Sequence, residues 1–445
     1  SPIFYLTQPL WRDEAFSVLF VKYSPLYVIS HSSMEPPLYY LLLWVWTRLF
    51  GTDEIAVRLL SMFAFLIATY IFTLWAEKRF GNNWISTVAA IAFFTNPMLL
   101  YYAFEVRAYG WYILFAVLFI TSYMEKKWRW VLLAAIFGFY THLYMLFLVG
   151  ATALHYIFQN GKKLWNGSLH DAVWDPMIRV LILFSIAISP WLIRIGLTMR
   201  KLHDSWYFPV DMQLVKSALG NLYIGYEGTP WFLWKYTSVL SACILGLLIW
   251  MLIQKKTRSD MLYVATIILI PLTFVLGFSA LIKPIYVNRY LIFIAIAELM
   301  LIPYILSSIR IKSIAIISAG LICLAHGLFS MWYPVQHKKQ DYRSTIREID
   351  SLMREGDVLY VNNALIYPEA LYYTKNPKSL YLYNPKNSPF LWYIGDAIFS
   401  PDKNRSDFSR YPSRTFLLNA DSTYSIRYSV DIPQVPTDQV LPYDN

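Results

Sequence analysis

Two groups of acidic side chains near the start of the chain are the residues best suited to chemistry. The first is the pair Asp13 and Glu14, within Trp-Arg-Asp-Glu-Ala-Phe-Ser at 11–17, and the second is Glu35, followed by Pro-Pro-Leu-Tyr-Tyr at 36–40. A carboxylate held beside a hydroxyl group can take its proton as the oxygen attacks, a general-base step worth roughly 10²–10⁴ in rate. Two acids at a helix start also complement the helix dipole, so their position alone leaves a structural role open.

These two sequences resemble the first extracytoplasmic loop of the GT-C membrane glycosyltransferases, in particular the protein O-mannosyltransferases and the lipid A aminoarabinose transferases. In that family the Asp of the Asp-Glu pair is the proposed base of an inverting sugar transfer. The resemblance, which extends from residue 3 to about 365, therefore implies Asp13 as the base, with Glu14 orienting Asp13 or the acceptor. The aminoarabinose transferases also have Glu at the position of Glu35, so the resemblance implies Glu35 as a substrate-binding residue, but Pro36 stands where those relatives have Lys.

A second charged motif, Glu-Val-Arg-Ala-Tyr, occupies 105–109 at the predicted outer end of a span. Ionisable residues at membrane depth are costly, so they are usually paired or functional. One interpretation is a structural ion pair of Glu105 with Arg107. The alternative is favoured by a similar Glu-x-Arg-x-Tyr sequence in the related transferases, which implies that Arg107 contacts the substrate phosphate and that Glu105 and Tyr109 line the substrate site.

A third motif, Tyr-Val-Asn-Arg-Tyr-Leu at 286–291, opens a late apolar run, and the family has a corresponding Arg-Tyr pair. The guanidinium of Arg289 can bind a phosphate through two parallel hydrogen bonds and stabilise the charge that grows on a leaving phosphate. Tyr290 and Lys283 are the predicted partners in this donor-phosphate site. The alternative is that Arg289 only extends towards lipid headgroups.

Histidines offer weaker signals. His142 lies between two apolar helices, where a histidine is more often a structural hydrogen-bonding group, although the related family has a Thr-His-Tyr-like motif there and this chain has Leu143 before its Tyr. A divalent metal stays open as a cofactor, with Glu35, His31 and His203 as candidate ligands. No His-Glu-x-x-His sequence occurs, so no zinc motif supports a metal.

The composition indicates a membrane protein. Hydrophobic residues make up 57% of the 445 positions, aromatic residues 18% and charged residues only 15%, whereas soluble domains carry about 25% charged residues. The net charge of +10 does not indicate a nucleic-acid partner, because Lys and Arg cluster between apolar runs as orientation signals do. The chain also lacks a P-loop, a dinucleotide-binding glycine motif and a nucleotide-sugar Asp-x-Asp motif, which favours a lipid-linked donor.

The apolar runs predict about ten membrane spans. A span needs roughly 20 apolar residues, and such runs lie near 54–76, 84–104, 109–124, 177–197, 231–253, 261–282, 290–308 and 313–333, with 130–158 divided into two short helices at Thr141-His142. With ten spans, the basic loops at 78–79, 126–129, 162–163, 255–258 and 310–312 all fall on the cytoplasmic side. Every motif described above then lies on the extracytoplasmic side.

The remaining segments complete the predicted domain organisation: 1–53 as an extracytoplasmic first loop, 54–333 as the transmembrane GT-C module and 334–445 as an extracytoplasmic α/β domain. Pro37–Phe50 is short and predicts an interfacial helix, and we expect a further span to precede Ser1. In the last segment we expect a helix at Asp341–Glu355, a central strand at Val358–Val361, a helix at Tyr367–Tyr373 and strands at Arg414–Leu418 and Tyr424–Val430. The tyrosines of 367–373 either stack on a sugar or form the core of the domain.

Together these patterns predict an inverting glycosyltransferase of the cell membrane. Its partners would be a polyprenyl-phosphate-linked sugar donor, membrane lipid and an extracytoplasmic protein, lipid or glycan acceptor, with the sugar over Asp13. Two other functions stay open. A ligase that moves whole glycans would depend more on the loop 198–230, and a flippase for a lipid-linked sugar would place functional charges on both faces of the membrane.

Overall fold

The computed structural model describes residues 3–32, 35–166, 174–198, 209–225, 231–255, 257–336, 338–390 and 395–430. Most of these residues are helical. In chain order the helices are α1 Ile3–Thr7, α2 Arg12–Phe20, α3 Pro25–His31, α4 Leu38–Phe50, α5 Glu54–Phe80, α6 Asn83–Thr95, α7 Pro97–Ala103, α8 Tyr109–Met124, α9 Trp128–Thr141, α10 Met145–Asn166, α11 Pro176–Thr198, α12 Met212–Ile224, α13 Trp234–Ile253, α14 Arg258–Leu281, α15 Ile292–Ser308, α16 Lys312–Gln336, α17 Tyr342–Leu352 and α18 Tyr367–Tyr373.

The long apolar helices make the chain an integral membrane protein. Within the described residues six helices are long and apolar enough to cross a membrane, and seven if the bent pair α6–α7 is one span. The predicted runs at 109–124 and 130–158 correspond to α8, α9 and α10, and the first two of these are shorter apolar helices. Helices therefore occupy all the predicted runs, while the number of crossings and their orientation stay predictions.

Two local features differ from the sequence expectation. The run at 84–104 bends by 58°, because Asn96 ends α6 and caps the next helix by accepting a hydrogen bond from the Leu99 backbone N–H at 3.1 Å, while Pro97 suits a first helical position. The predicted loop 198–230 contains the helix α12. A side chain at Gly220 of α12 would lie 2.1 Å from the Thr237 carbonyl oxygen, so only glycine permits this approach to α13.

The carboxyl-terminal residues form a small α/β domain, as the sequence predicts. Its described residues contain five strands, β1 Val358–Val361, β2 Leu380–Tyr383, β3 Asn404–Arg405, β4 Thr415–Leu418 and β5 Tyr424–Arg427. The sheet order is β3-β2-β1-β4-β5; all neighbours are parallel except β4 and β5. The strand at 358–361 is central, as expected for an apolar run. The sequence patterns predicted neither β2 nor β3, and the last strand ends three residues before Val430.

Two helices cover one face of this sheet. The predicted helix 341–355 is α17, which Asp341 caps through the Ser344 N–H at 3.1 Å, and the predicted helix Tyr367–Tyr373 is α18. Buried Ile346 and Ile349 pack with buried Leu359 and Tyr367 in one hydrophobic core. Tyr367 therefore belongs to the core of the domain.

The described chain divides into two compact units, and the division does not follow the chain order. The first unit holds the residues up to Thr7 and Phe20–Lys338, and the second holds Gln8–Leu19 together with the chain from Lys339 onward. The turn that carries Asp13 and Glu14 thus packs with the carboxyl-terminal α/β domain.

Candidate active site

In the first unit, Arg107 lies in a turn that is anchored to α5. The Ser61 hydroxyl donates to the Arg107 carbonyl oxygen at 3.1 Å, and a side chain at Gly110 would lie 2.4 Å from the Ser61 carbonyl oxygen. The Arg107 guanidinium forms an ion pair with Glu35 at 2.5 Å. Tyr40 joins the pair, since its hydroxyl donates to Glu35 and accepts from Arg107 at 3.3 Å.

The second cationic residue, Arg289, lies in the 3₁₀ turn Asn288–Leu291 at the start of α15. Hydroxyl groups fix the backbone around this turn: Tyr112 donates to the Tyr290 carbonyl oxygen at 3.3 Å, and Tyr144 donates to that of Ile285 at 2.5 Å. The Arg289 side chain is buried, and its guanidinium lies 6.0 Å from the ring centre of Tyr109 and 5.6 Å from that of Tyr290. Aromatic faces stabilise a cation at this distance.

His142 packs within the same aromatic group. Its ring stacks on Tyr112 at 4.6 Å and lies 4.9 Å from the ring of Tyr290. The Tyr144 backbone N–H donates to Nδ1 at 3.3 Å, so a neutral ring carries its proton on Nε2. Both guanidinium groups, of Arg107 and Arg289, interact electrostatically with His142 and with the buried Tyr109. The structure therefore brings residues from three separate motifs into one cationic and aromatic cluster.

The other predicted residues of this unit lie as follows. Glu105 is buried and interacts electrostatically with Tyr102, and Lys283 is half-buried after the end of α14. His31 is exposed at the end of α3, where it stacks on Tyr27 at 3.8 Å.

The metal hypothesis receives no support from these positions. Glu35 is paired with Arg107, and His203 lies outside the described residues. No group of three or more His, Cys, Asp or Glu side chains that could hold a metal occurs in the described part of the chain.

In the second unit, Asp13 and Glu14 occupy the first turn of α2, where they complement the helix dipole. Asp13 pairs with the Arg12 guanidinium at 2.8 Å and keeps a small exposed fraction, 15% of its side chain. Glu14 is fully buried; it accepts from the Lys339 ammonium at 2.9 Å and from the Trp11 backbone N–H at 3.2 Å. The two acids thus differ in surroundings, since only Asp13 keeps access to solvent.

A third acid of this unit, Glu369 of α18, lies beside the same turn. It is 5% exposed, and Oε2 has no hydrogen-bond partner among the described residues. Burial raises the pKa of the Glu369 carboxyl to about 8; the Asp13 charge adds to this shift, whereas the Arg12 charge and the backbone N–H groups of Arg12 and Glu369 oppose it. At neutral pH Glu369 is therefore mostly a neutral acid.

The sequence did not predict several residues of the Arg107–Arg289 cluster and of the Asp13 turn. Tyr40 belongs to the Glu-Pro-Pro-Leu-Tyr-Tyr sequence, but no function was predicted for it. Tyr112 lies inside an apolar helix, where its sequence context does not distinguish it from its neighbours. Lys339 and Glu369 lie more than 300 positions from Asp13. The only local signal was the single acid in Tyr-Pro-Glu-Ala-Leu-Tyr-Tyr at 367–373, because an acid in an otherwise apolar helix predicts a buried and therefore partnered group.

No protein-family model matches the chain, and no curated protein sequence matches it. Two solved structures do match. ArnT from Cupriavidus metallidurans in the apo state has a TM-score of 0.60 at 10% sequence identity, over 93% of this chain and 90% of that one. ArnT from the same organism bound to undecaprenyl phosphate has a TM-score of 0.58 at 11% identity, with the same shares covered.

At such low identity the likeness concerns the fold. It includes both the helical membrane part and the carboxyl-terminal domain, because 93% of this chain is covered. The expected fold is thereby confirmed: this chain has the fold of ArnT, with a helical membrane part and a small carboxyl-terminal domain that contains a sheet.

Proposed function

We propose that this chain, which has the fold of ArnT, is a membrane glycosyltransferase that moves a sugar from a polyprenyl-phosphate carrier to an extracytoplasmic acceptor. The observation that carries the proposal is the cluster of Arg107 and Arg289 with Tyr109, Tyr290 and His142 in a chain of this fold. One structural neighbour is described as bound to undecaprenyl phosphate, which supports a lipid phosphate as a ligand of this chain.

The reaction would proceed in one step with inversion. Asp13 takes the proton of an acceptor hydroxyl, the acceptor oxygen forms a bond to the anomeric carbon, and the bond from that carbon to the phosphate oxygen breaks with its electron pair on the polyprenyl phosphate. The leaving phosphate gains negative charge as that bond breaks. A guanidinium that is already held in place stabilises this charge without reorganisation.

The residues have distinct proposed roles. Arg289 binds the donor phosphate, since its guanidinium is buried and its turn is fixed by hydrogen bonds from Tyr112 and Tyr144. Arg107 assists, and Glu35 with Tyr40 sets its direction. A sugar ring can stack on the aromatic faces of Tyr109, Tyr290 and His142, and a sugar hydroxyl can accept a hydrogen bond from the N–H of His142.

The test uses the full-length protein in lipid nanodiscs with a panel of polyprenyl-phosphate sugars and a hydroxyl-bearing acceptor. We expect release of polyprenyl phosphate and a product of inverted anomeric configuration for at least one donor, with heat-inactivated protein as the control. Movement of the intact donor between leaflets of a proteoliposome without cleavage would instead identify a flippase. Consumption of a diphosphate-linked glycan but no monophosphate donor would identify a ligase.

A further inference from the structure

The second compact unit combines the turn of Asp13 with the carboxyl-terminal domain, and this combination carries a further inference. We infer that the α/β domain positions the proposed base, with Lys339 and Glu369 as the positioning residues that fix the first turn of α2. The inference rests on the proposed function of Asp13. It gives the domain a direct task in the reaction.

The first contact is the buried ion pair of Glu14 with Lys339. The Glu14 carboxylate has no exposed surface and Lys339 has 12% of its side chain exposed. Loss of either partner of an ion pair removed from water in this way is strongly destabilising, because it leaves an uncompensated buried charge. Because Glu14 also accepts a hydrogen bond from the Trp11 backbone N–H, the Glu14–Lys339 ion pair fixes the backbone of the turn that contains Asp13.

Two further contacts fix both sides of the same turn. Before it, the Leu10 backbone N–H donates to the Tyr373 hydroxyl at 2.6 Å. After it, the Phe16 ring lies against Gly395, where a side chain would come within 2.5 Å of the ring. Gly395 also has a φ of +112°, a conformation that L side chains rarely adopt, so the domain offers a surface shaped for Phe16.

Glu369 completes the arrangement beneath Arg12 and Asp13. The groups that face it are Arg12 and Asp13 from α2 and Tyr342 from α17, whereas β2 contributes apolar Leu380 and Leu382 to the same core. In its neutral form Glu369 adds no negative charge beside the Arg12–Asp13 ion pair. Deprotonation would put a second anion beside the Asp13 carboxylate, in the core of the unit.

The first experiment measures hydrogen exchange of residues 8–19 in the full-length protein in nanodiscs, which needs no turnover. We expect Lys339→Met and Glu369→Ala to raise the exchange rate there at least tenfold, and Lys338→Met and Glu355→Gln, which change exposed side chains, to leave it unchanged. Unchanged protection in both test variants would overturn the inference. Absence of sugar transfer by the wild-type protein would overturn only the proposed function, whereas unchanged hydrogen exchange in the variants would overturn only this inference. The two failures are therefore distinguishable.

The second experiment uses Glu369→Gln, which copies the neutral acid and so avoids a folding defect. The pKa of Glu369 in the folded protein is raised to about 8, so the neutral form is present below about pH 8 and is lost above it. We expect wild-type kcat/KM to fall above about pH 8 and the Gln variant to lack this fall while keeping wild-type activity at pH 7. A fall that persists in Glu369→Gln, or that is absent from the wild type, would overturn the role of Glu369.

The kinetic constants separate positioning from donor binding. Displacement of a catalytic group by about 1 Å can cost about 100-fold in rate, so Glu369→Ala should lower kcat by about that factor. The donor KM should stay within about twofold, because the proposed phosphate ligands belong to the other unit. An increase in donor KM with unchanged kcat would contradict a positioning role.

Discussion

At the scale of single residues, the two acids of the Asp-Glu pair have different surroundings, and this difference supports the proposed role of Asp13 as the base. Asp13 keeps partial exposure beside Arg12, whereas Glu14 is enclosed with Lys339. A base must be able to reach the acceptor hydroxyl, and of the two acids only Asp13 keeps exposed surface. The sequence motif suggested the same assignment through resemblance, but it contained no information on Lys339.

The first prediction follows from this difference. Asp13→Asn should lower kcat for transfer by about 10²–10⁴, the usual worth of general-base catalysis, while donor binding and thermal stability stay near wild type. Glu14→Gln should be milder in turnover but should lower the unfolding free energy by about 3 kcal/mol, because Lys339 loses its buried partner. Turnover measurements and thermal melts of both variants check this, and an equal loss of kcat in both would mean that the pair is misassigned.

A second residue-scale prediction concerns the donor phosphate. Arg289→Ala should raise the donor KM and also lower kcat, since charge grows on the phosphate in the transition state. Arg289→Lys should recover only part of this loss, because an ammonium lacks the planar fork that binds two oxygens. Steady-state kinetics test this prediction. The matched control is Arg427→Ala, which removes an exposed arginine of β5. If Arg289→Ala changes neither constant, a simple contact of Arg289 with lipid headgroups is favoured.

At the scale of elements, close packing between helices determines the position of the turn that contains Arg107. The Arg107 turn depends on the approach of α8 to α5 at Gly110 and Ser61. Apolar periodicity predicted these helices, but it could not predict which glycine marks a contact, because the glycines of α8 and α10 occur in similarly apolar sequences. The Asn-Pro sequence at 96–97 did carry the signal for the bend between α6 and α7.

Gly110→Ala provides the test at this scale. The added methyl group would lie 2.4 Å from a backbone oxygen of Ser61, which cannot move aside, so we expect a loss of about 1–3 kcal/mol in stability and reduced transfer through displacement of Arg107. Gly150→Ala in α10 is the matched control, since nothing lies within 4 Å of its added methyl group and alanine favours a helix. Equal thermal stability of the two variants would contradict a packing role for Gly110.

At the scale of the whole molecule, the sequence predicted the helical runs and the α/β domain well because both depend on local hydrophobic patterns. It did not predict that Gln8–Leu19 packs with the chain from Lys339 onward. The Glu14–Lys339 pair joins residues 325 positions apart, and no local pattern encodes such a pairing. The same separation explains why Asp13 could be identified as a candidate base while its supporting residues could not.

This grouping sharpens the topology prediction. Because Gln8–Leu19 and the carboxyl-terminal domain form one unit, both must lie on the same side of the membrane, and the alternation of basic loops predicts the extracytoplasmic side. In a background with Cys243 and Cys323 replaced by Ser, we expect a membrane-impermeant thiol reagent to label Lys22→Cys and Ser351→Cys in intact cells. Arg129→Cys, in a predicted cytoplasmic loop, should be labelled only after permeabilisation. Labelling of Lys22→Cys or Ser351→Cys only after permeabilisation would contradict the predicted orientation, and with it the assignment of an extracytoplasmic acceptor.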